Sequence, residues 1–345
     1  IESGKFTAAT SVLDSPVVYL DTEGGDWLPE NYEGEYSGFI RLRKALEKSI
    51  NVVSIRIADT LGMDTVMNYY AKLLKMNDAE KKSRIPRNLS IALGSIEVSP
   101  YEMTRAYAII ANGGKEVIPF AIRYIKNRNG EIIENREKEV NDSIAEKTKN
   151  GTIQILRPAT AQVMISLMQS VISSGTARWA YPGRPAAGKT GTTNNWKDAW
   201  FIGFTSDLST GLWIGYDKLG LSLGVGQAAA GIAAPVWGNY MREALRHDPV
   251  SGLPVYAALK DLTVCANSGL LPGPSCRSTI SEVFVPEFLP DKICDICSNQ
   301  SSDFHMSSNS PDQNIVQEQK QKMLNRTKDN KKESIINNIG NELLQ

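Results

Sequence analysis

The spacing of apolar side chains gives the chain a helical first half and a later region where strands gather. In RLRKALEKS, residues 41–49, Leu42, Ala45 and Leu46 fall at helical spacing. The pattern breaks at Ser49-Ile50-Asn51 and resumes as VVSIRIADTLGM. A further helix is predicted over DTVMNYYAKLL, with Asp64 as its N-cap. SPYEMTRAYAIIANGG opens on Ser99-Pro100 and closes on Gly113-Gly114, a helix start and stop. In RPATAQVMISLMQSVISSG, Val163, Leu167 and Val171, with Met164, Met168 and Ile172, line one side, and Gly175 closes the run. A last helix is predicted over AAPVWGNYMREALR.

Strand-like runs are shorter. AIRYIKNRNGEIIE holds an Asn-Gly turn signal between two of them. DAWFIGFT and STGLWIGYD, joined at SDL, are aromatic and β-branched and predict an antiparallel hairpin. Residues 1 to about 40 are full of turn formers and read as loop, and residues 136–152 read as a polar surface excursion. The expected fold class is α+β, an antiparallel sheet packed with helices. Three regions are expected: 1–250 as the main domain, 251–297 as an irregular Cys-containing extension, and 298–345 as a polar, disordered tail.

Composition narrows the function. With 41% hydrophobic residues the chain can pack a core, and Lys+Arg and Asp+Glu, 38 each, cancel. A nucleic-acid protein would carry a basic excess, so that class is set aside. The uncharged run LGLSLGVGQAAAGIAAPVWGNYM is rich in Gly and Ala and holds Gln227, Pro235 and Asn239, so it reads as a buried loop and core helix, not a membrane span. The chain begins with Ile1 and shows no signal-peptide pattern, so the expectation is a piece of a longer protein. His247 and His305 are isolated. The cysteines, Cys265, Cys276, Cys294 and Cys297, contain one C-x-x-C knuckle where a zinc site would prefer two. Two local disulfides fit at least as well and are the expectation, with free thiols as the plain alternative. No metal and no cofactor are expected.

The candidate chemistry lies in GRPAAGKTGTTNNWKDAWFIGFT, residues 183–205. Gly183 through Thr190 satisfies the phosphate-binding pattern G-x-x-x-x-G-K-[ST]. That pattern needs a buried strand before it and a helix starting at its lysine. Here SSGTARWAYP precedes, Pro182 and Pro185 bracket the loop, and a strand follows GTTNNWKD directly. The alternative is Lys189-Thr190-Gly191-Thr192-Thr193 as a K-T-G-T-T box on an accessible strand. Such a strand offers a cation, short hydroxyls for a carboxylate, and a glycine where a substrate backbone can come close.

With SSGTARWA just before it, this box resembles the transpeptidase domain of class A penicillin-binding proteins, a superfamily for which the K-T-G box is a known signature. WLPENYEGEYSG followed by LRKALEKSINV resembles the family's approach to its S-x-N motif, here Ser49-Ile50-Asn51. ALGSIEVSPYEMTRAYAIIANGG and VCANSGLLPGPSC extend the resemblance over residues 1 to about 297. It implies a penicillin-binding, serine β-lactamase-like fold and a peptidoglycan D,D-transpeptidase domain of a bifunctional cell-wall synthase. Its partners would be stem peptides ending in D-Ala-D-Ala and β-lactams. Its place would be the outer side of a bacterial plasma membrane, held by an N-terminal anchor that precedes a glycosyltransferase domain, with cell-envelope proteins as further partners.

The resemblance also implies roles. Ser49 would relay a proton to the leaving amine, and Asn51 would bond the substrate amide. Lys189 would support the field and the relay, and the Thr192 N–H would form part of an oxyanion hole. Thr190, Gly191 and Thr193 would complete substrate binding. Residue by residue, the bland readings are caps for Ser49 and Asn51 and a surface charge for Lys189. The family's nucleophile is the serine of an S-x-x-K box, and no serine here has a lysine three residues on. The expectation is that the box lies upstream of this fragment, which would then form no acyl-enzyme alone. The alternatives are a catalytically degenerate β-lactam-binding or scaffolding domain, or a D,D-carboxypeptidase or β-lactamase.

Overall fold

The computed structural model describes residues 1–19, 27–218 and 220–297, so the expectation for 298–345 lies outside the described residues. Two short strands, β1 (Ser11–Asp14) and β2 (Gly38–Arg41), pair antiparallel where the sequence reads as loop. Four-residue strands are too short for alternation to stand out among turn formers. β2 runs directly into α1 (Leu42–Lys48). That helix stops at Ser49, which takes left-handed angles of φ 59° and ψ 46°. The Ile50 N–H reaches back to Ala45 O at 2.9 Å, the long bond of a Schellman-type end, and α2 (Asn51–Leu61) begins at once.

α3 (Met63–Leu74) starts one residue before Asp64, which is therefore in the first turn and not the cap. Asp64 instead pairs with Arg87 at 2.5 Å. α4 (Asp78–Arg84) has no counterpart in the hydrophobic pattern, because DAEKKSR has no apolar stripe. Its start is fixed by a capping box between Asn77 and Glu80. α5 (Pro100–Ala111) begins with another, Ser99 with Glu102, and ends before Gly113 and Gly114.

β3 (Tyr124–Lys126) and β4 (Ile132–Asn135) make an exposed hairpin. α6 (Arg136–Lys149) fills most of the expected polar surface excursion with a helix. Asn135 caps it, acidic residues fill its first turn and lysines its last, so local charge order makes a helix that buries only Val140.

α7 (Pro158–Ser174) is the central helix. Val163 and Leu167 pack with Ala8 and Val285; Ile165 and Met168 pack under the main sheet; Val171 and Ile172 join a third cluster. Burial thus wraps beyond the single side read from the sequence. The main sheet is antiparallel, in the order β5 (Ala187–Thr192), β6 (Asp198–Phe204), β7 (Ser209–Gly215). Ala187 and Phe204 face α7, while Phe201 faces α8 (Ala229–Ala244) and stacks on Trp237 at 4.8 Å between centroids. α8 begins four residues before the predicted Ala233, which puts Pro235 inside it. The class is α+β, with helices on both faces of the sheet.

The Cys-bearing segment is not irregular throughout. β8 (Lys260–Cys265) and β9 (Thr279–Phe284) pair antiparallel, separated by a Pro- and Gly-rich connection that hides the pairing in sequence. Arg43 of α1 ties this hairpin to the main body through Glu282 and Ser166. The expected local disulfides are absent: no S–S bond joins any of the four cysteines. Among the described residues no helix is long and apolar enough to cross a membrane.

Candidate active site

Lys189 and Ser49 meet, although one lies mid-strand and the other at a helix junction. The Lys189 Nζ donates to Ser49 Oγ at 2.8 Å, to Thr190 O at 3.0 Å and to Thr190 Oγ1 at 3.3 Å. Ser49 is exposed and Lys189 is partly exposed, yet protein crowds the ammonium. That desolvation pulls the Lys189 pKa down to about 8. The left-handed turn at Ser49 sets this contact, because it ends α1 and leaves the side chain free for the strand. Neither Ser49 nor Asn51 is a helix N-cap: the α2 cap is Ile50.

The strand that carries Lys189 is the edge of its sheet. In an antiparallel ladder, alternate residues turn both main-chain groups toward the same neighbour. The phase is fixed at both turns, by Thr193 N–H to Asp198 O at 3.1 Å and Thr205 N–H to Leu208 O at 2.9 Å. With the register Gly191 to Trp200 and Lys189 to Ile202, residues 187, 189 and 191 bond to β6. Thr190 and Thr192 therefore present their N–H and C=O groups to the open edge. The bond from Lys189 Nζ to Thr190 O agrees with that phase. Mid-strand, the Gly188-Lys189-Thr190 run opens no helix, so phosphate-loop geometry is absent.

The remaining candidates divide. The Thr190 hydroxyl lies 3.0 Å from that of Thr176. Thr192 Oγ1 accepts from Ala229 N–H at 3.0 Å, which leaves its own proton to donate. Thr193 instead closes the hairpin: its Oγ1 accepts from Asp198 N–H at 2.8 Å and donates to Asp198 Oδ2 at 3.0 Å. Trp213 also bonds Asp198, at 2.9 Å. A side chain at Gly191 would bring its Cβ to 3.3 Å from that of Trp200, so packing on β6 itself favours glycine. Asn51 spends its amide N–H on Glu30 O at 2.8 Å.

That last bond points to residues the sequence reading passed over. The 30–32 segment lies along the start of α2, since Asn31 Oδ1 accepts from Val52 N–H at 3.2 Å. Tyr32 then reaches the β5–β6 turn, where Trp196 Nε1 donates to its hydroxyl at 2.9 Å. Thr176 is placed by its N–H to Glu47 O at 3.0 Å, which ties the end of α7 to the end of α1. Gly175 permits that approach: a Cβ there would stand 2.6 Å from Glu47 O. Asn31, Tyr32, Thr176 and Trp196 show no periodicity of their own; each lies in a segment that carries the resemblance, WLPENYEGEYSG, SSGTARWA or GTTNNWKD, which is the one signal that could have found them.

Together these groups set a cation and several hydroxyls beside a free strand edge, suited to an extended peptide with a carboxylate end. The family model of the penicillin-binding protein transpeptidase domain matches residues 1–239, and that of the penicillin-binding protein 1A C-terminal domain matches 257–298. The chain is 37% identical over 293 residues to penicillin-binding protein 1A of Neisseria gonorrhoeae, covering 79% of this chain and 35% of that protein. It is 31% identical over 329 residues to penicillin-binding protein 1A of Pseudomonas aeruginosa, covering 84% and 39%. The crystal structure of penicillin-binding protein 1A from Haemophilus influenzae superposes with a TM-score of 0.72 at 26% identity, over 85% of this chain and 47% of that one. The penicillin-binding protein PonA1 of Mycobacterium tuberculosis shares the fold, with a TM-score of 0.60 at 24% identity over 81% of this chain and 72% of that one. The chain spans little more than a third of the length of these curated relatives.

Proposed function

The chain belongs to the penicillin-binding protein transpeptidase family, and from that premise we propose that its edge-strand cleft is part of a D,D-transpeptidase that cross-links peptidoglycan stem peptides by serine acyl transfer. The supporting observation is the 2.8 Å bond from Lys189 to Ser49 beside the open edge of β5. No serine in the sequence stands three residues before a lysine, so the nucleophile and its lysine base are assigned to an S-x-x-K segment outside these residues.

That serine Oγ bonds to the carbonyl carbon of the D-Ala-D-Ala peptide, and its proton passes to the adjacent lysine. The outward N–H of Thr192 donates to the oxygen that becomes negative. Collapse breaks the C–N bond, and D-Ala leaves as an amine that takes a proton from Ser49 Oγ, which Lys189 replenishes. The hydroxyls of Thr190 and Thr192 hold the terminal carboxylate, and Asn51 orients the donor amide. The amine of a neighbouring stem peptide then attacks the ester carbon, gives its proton back through Ser49 to Lys189, and expels the serine oxygen, which recovers its own proton from the adjacent lysine. A β-lactam follows the first step, but its amine stays tethered and the ester persists. In this reading the whole protein also carries a membrane anchor and a glycosyltransferase domain, and works on the outer side of the plasma membrane.

The test is to label the protein encoded by the complete gene with a fluorescent penicillin and map the adduct by peptide mass spectrometry. The expected site is an S-x-x-K serine outside residues 1–345. An adduct on Ser49, or none on any serine, would contradict the reading.

A further inference from the structure

The cysteines offer a second, independent site. Cys265 ends β8, Cys276 lies in the β8–β9 connection, and Cys294 and Cys297 follow β9, so three separate stretches converge. Their four sulfurs all lie within 4.8 Å of one another. Cys297 Sγ stands 3.6 Å from Cys265 Sγ and 3.7 Å from Cys294 Sγ. A disulfide would require about 2.05 Å. A tetrahedral zinc with four thiolates at about 2.3 Å has sulfur–sulfur edges of about 3.8 Å. The two separations from Cys297 match the edge of that tetrahedron, and both are far from a covalent pair.

We propose that Cys265, Cys276, Cys294 and Cys297 form a structural zinc site that closes the C-terminal hairpin.

The backbone around the sulfurs is already ordered for such a site. Leu271 N–H bonds Lys292 O at 3.0 Å and Cys294 N–H bonds Leu271 O at 2.8 Å, which holds the stretch with the C-x-x-C knuckle against the β8–β9 connection. Gly273 N–H donates to Cys276 Sγ at 3.3 Å, a bond that stabilises a thiolate ligand. Gly273 also lets the two stretches touch, because a Cβ there would come 2.9 Å from Cys294 O. Cys265 and Cys294 are buried, while Cys276 and Cys297 are half-buried, so a metal has a route in. Ala9, Val264 and Phe284 form a small buried cluster under the hairpin, and Val285 and Phe288 hold the start of the following segment against α7, so the stretch that carries Cys294 and Cys297 lies beyond both clusters and gains from a staple. Binding would convert four thiols to thiolates and release their protons to solvent. The second C-x-x-C knuckle that the sequence lacks is replaced by Cys265 and Cys276, far apart in sequence but joined by the β8–β9 pairing.

The protein from the complete gene is purified without reductant or chelator, and its metal is measured by plasma emission. About one zinc per chain is expected, released by an organomercurial. Cys276→Ser and Cys297→Ser should each lose it. Cobalt(II) added to the zinc-depleted protein should give the intense visible bands of tetrahedral thiolate coordination, which needs no variant to fold. The proposal is overturned by an intact mass showing disulfides among these cysteines, by iron in place of zinc, by metal-free protein with all four thiols titratable, or by zinc content unchanged in both variants.

Discussion

Lys189 Nζ stands 2.8 Å from Ser49 Oγ, across 140 positions of sequence. A surface lysine and a helix N-cap would have no reason to meet; Ser49 instead ends α1 in a left-handed turn that frees its side chain for the strand. The contact joins the two motifs through the ends of α1 and α7 on one side and the edge strand on the other. It also makes Lys189 a donor whose charge is held by few groups other than Ser49 and the Thr190 oxygens.

Acylation should depend on the charge of Lys189. Burial lowers its pKa to about 8, so the ammonium that donates to Ser49 is lost as pH rises through that value. The second-order rate of labelling by a fluorescent penicillin should fall on an alkaline limb with a midpoint near 8. The limb should vanish in Lys189→Met. A rate that rises through this range would mean that the neutral amine is the working form. The stability effect has the opposite sign. The folded state holds the proton less tightly than the unfolded one, so the burden of the buried ammonium is full below about 8 and eases as pH climbs toward 10.5.

Gly175→Ala should destabilise the protein by roughly 1–3 kcal/mol, because its Cβ would press on backbone and not on a side chain that can turn away. The contacts are Glu47 O at 2.6 Å and the Val171 backbone at 2.9 Å. Relief requires α1 and α7 to part, which moves Ser49. Thermal unfolding should show a lower midpoint, and labelling should slow as well. An unchanged midpoint would remove this joint from the account of how Ser49 is placed.

Glu282 is the anchor of the C-terminal hairpin. Only 2% of its side chain is exposed, and Arg43 bonds it through Nη2 at 2.5 Å and through Nε at 2.9 and 3.0 Å. Arg41 lies 3.6 Å away on the same carboxylate. Glu282→Ala would leave two largely buried guanidinium groups without their anion, a loss of about 3–5 kcal/mol. Denaturant unfolding should report it, and a change below about 1 kcal/mol would show that solvent reaches these arginines freely.

The sequence made the central helix and the main hairpin plain, because α7 and β6–β7 carry long apolar patterns with clear turn signals. It was silent on α4 and read the α6 stretch only as a polar surface excursion, since both are nearly all polar and are set by caps and charge order. Ser49, Asn51 and Lys189 were legible as motifs. Their distance was not, because it depends on a left-handed turn at Ser49 and on which end of which helix approaches β5. Tyr32, Trp196 and Thr176 act through pairings made only after folding. The cysteines show the same limit: one knuckle was visible in the chain, and strand pairing supplies the other half.

The central claim is that Lys189 acts on the acylation step at the β5 edge. It is tested most directly by the labelling rate of Lys189→Met in the protein from the complete gene, measured with a fluorescent penicillin at neutral pH. The predicted result is a fall of about 100-fold or more. The thermal midpoint should stay level or rise, because a buried charge has been replaced by an apolar side chain of similar length. Labelling at the rate of the unchanged protein, with the fold intact, would contradict the account.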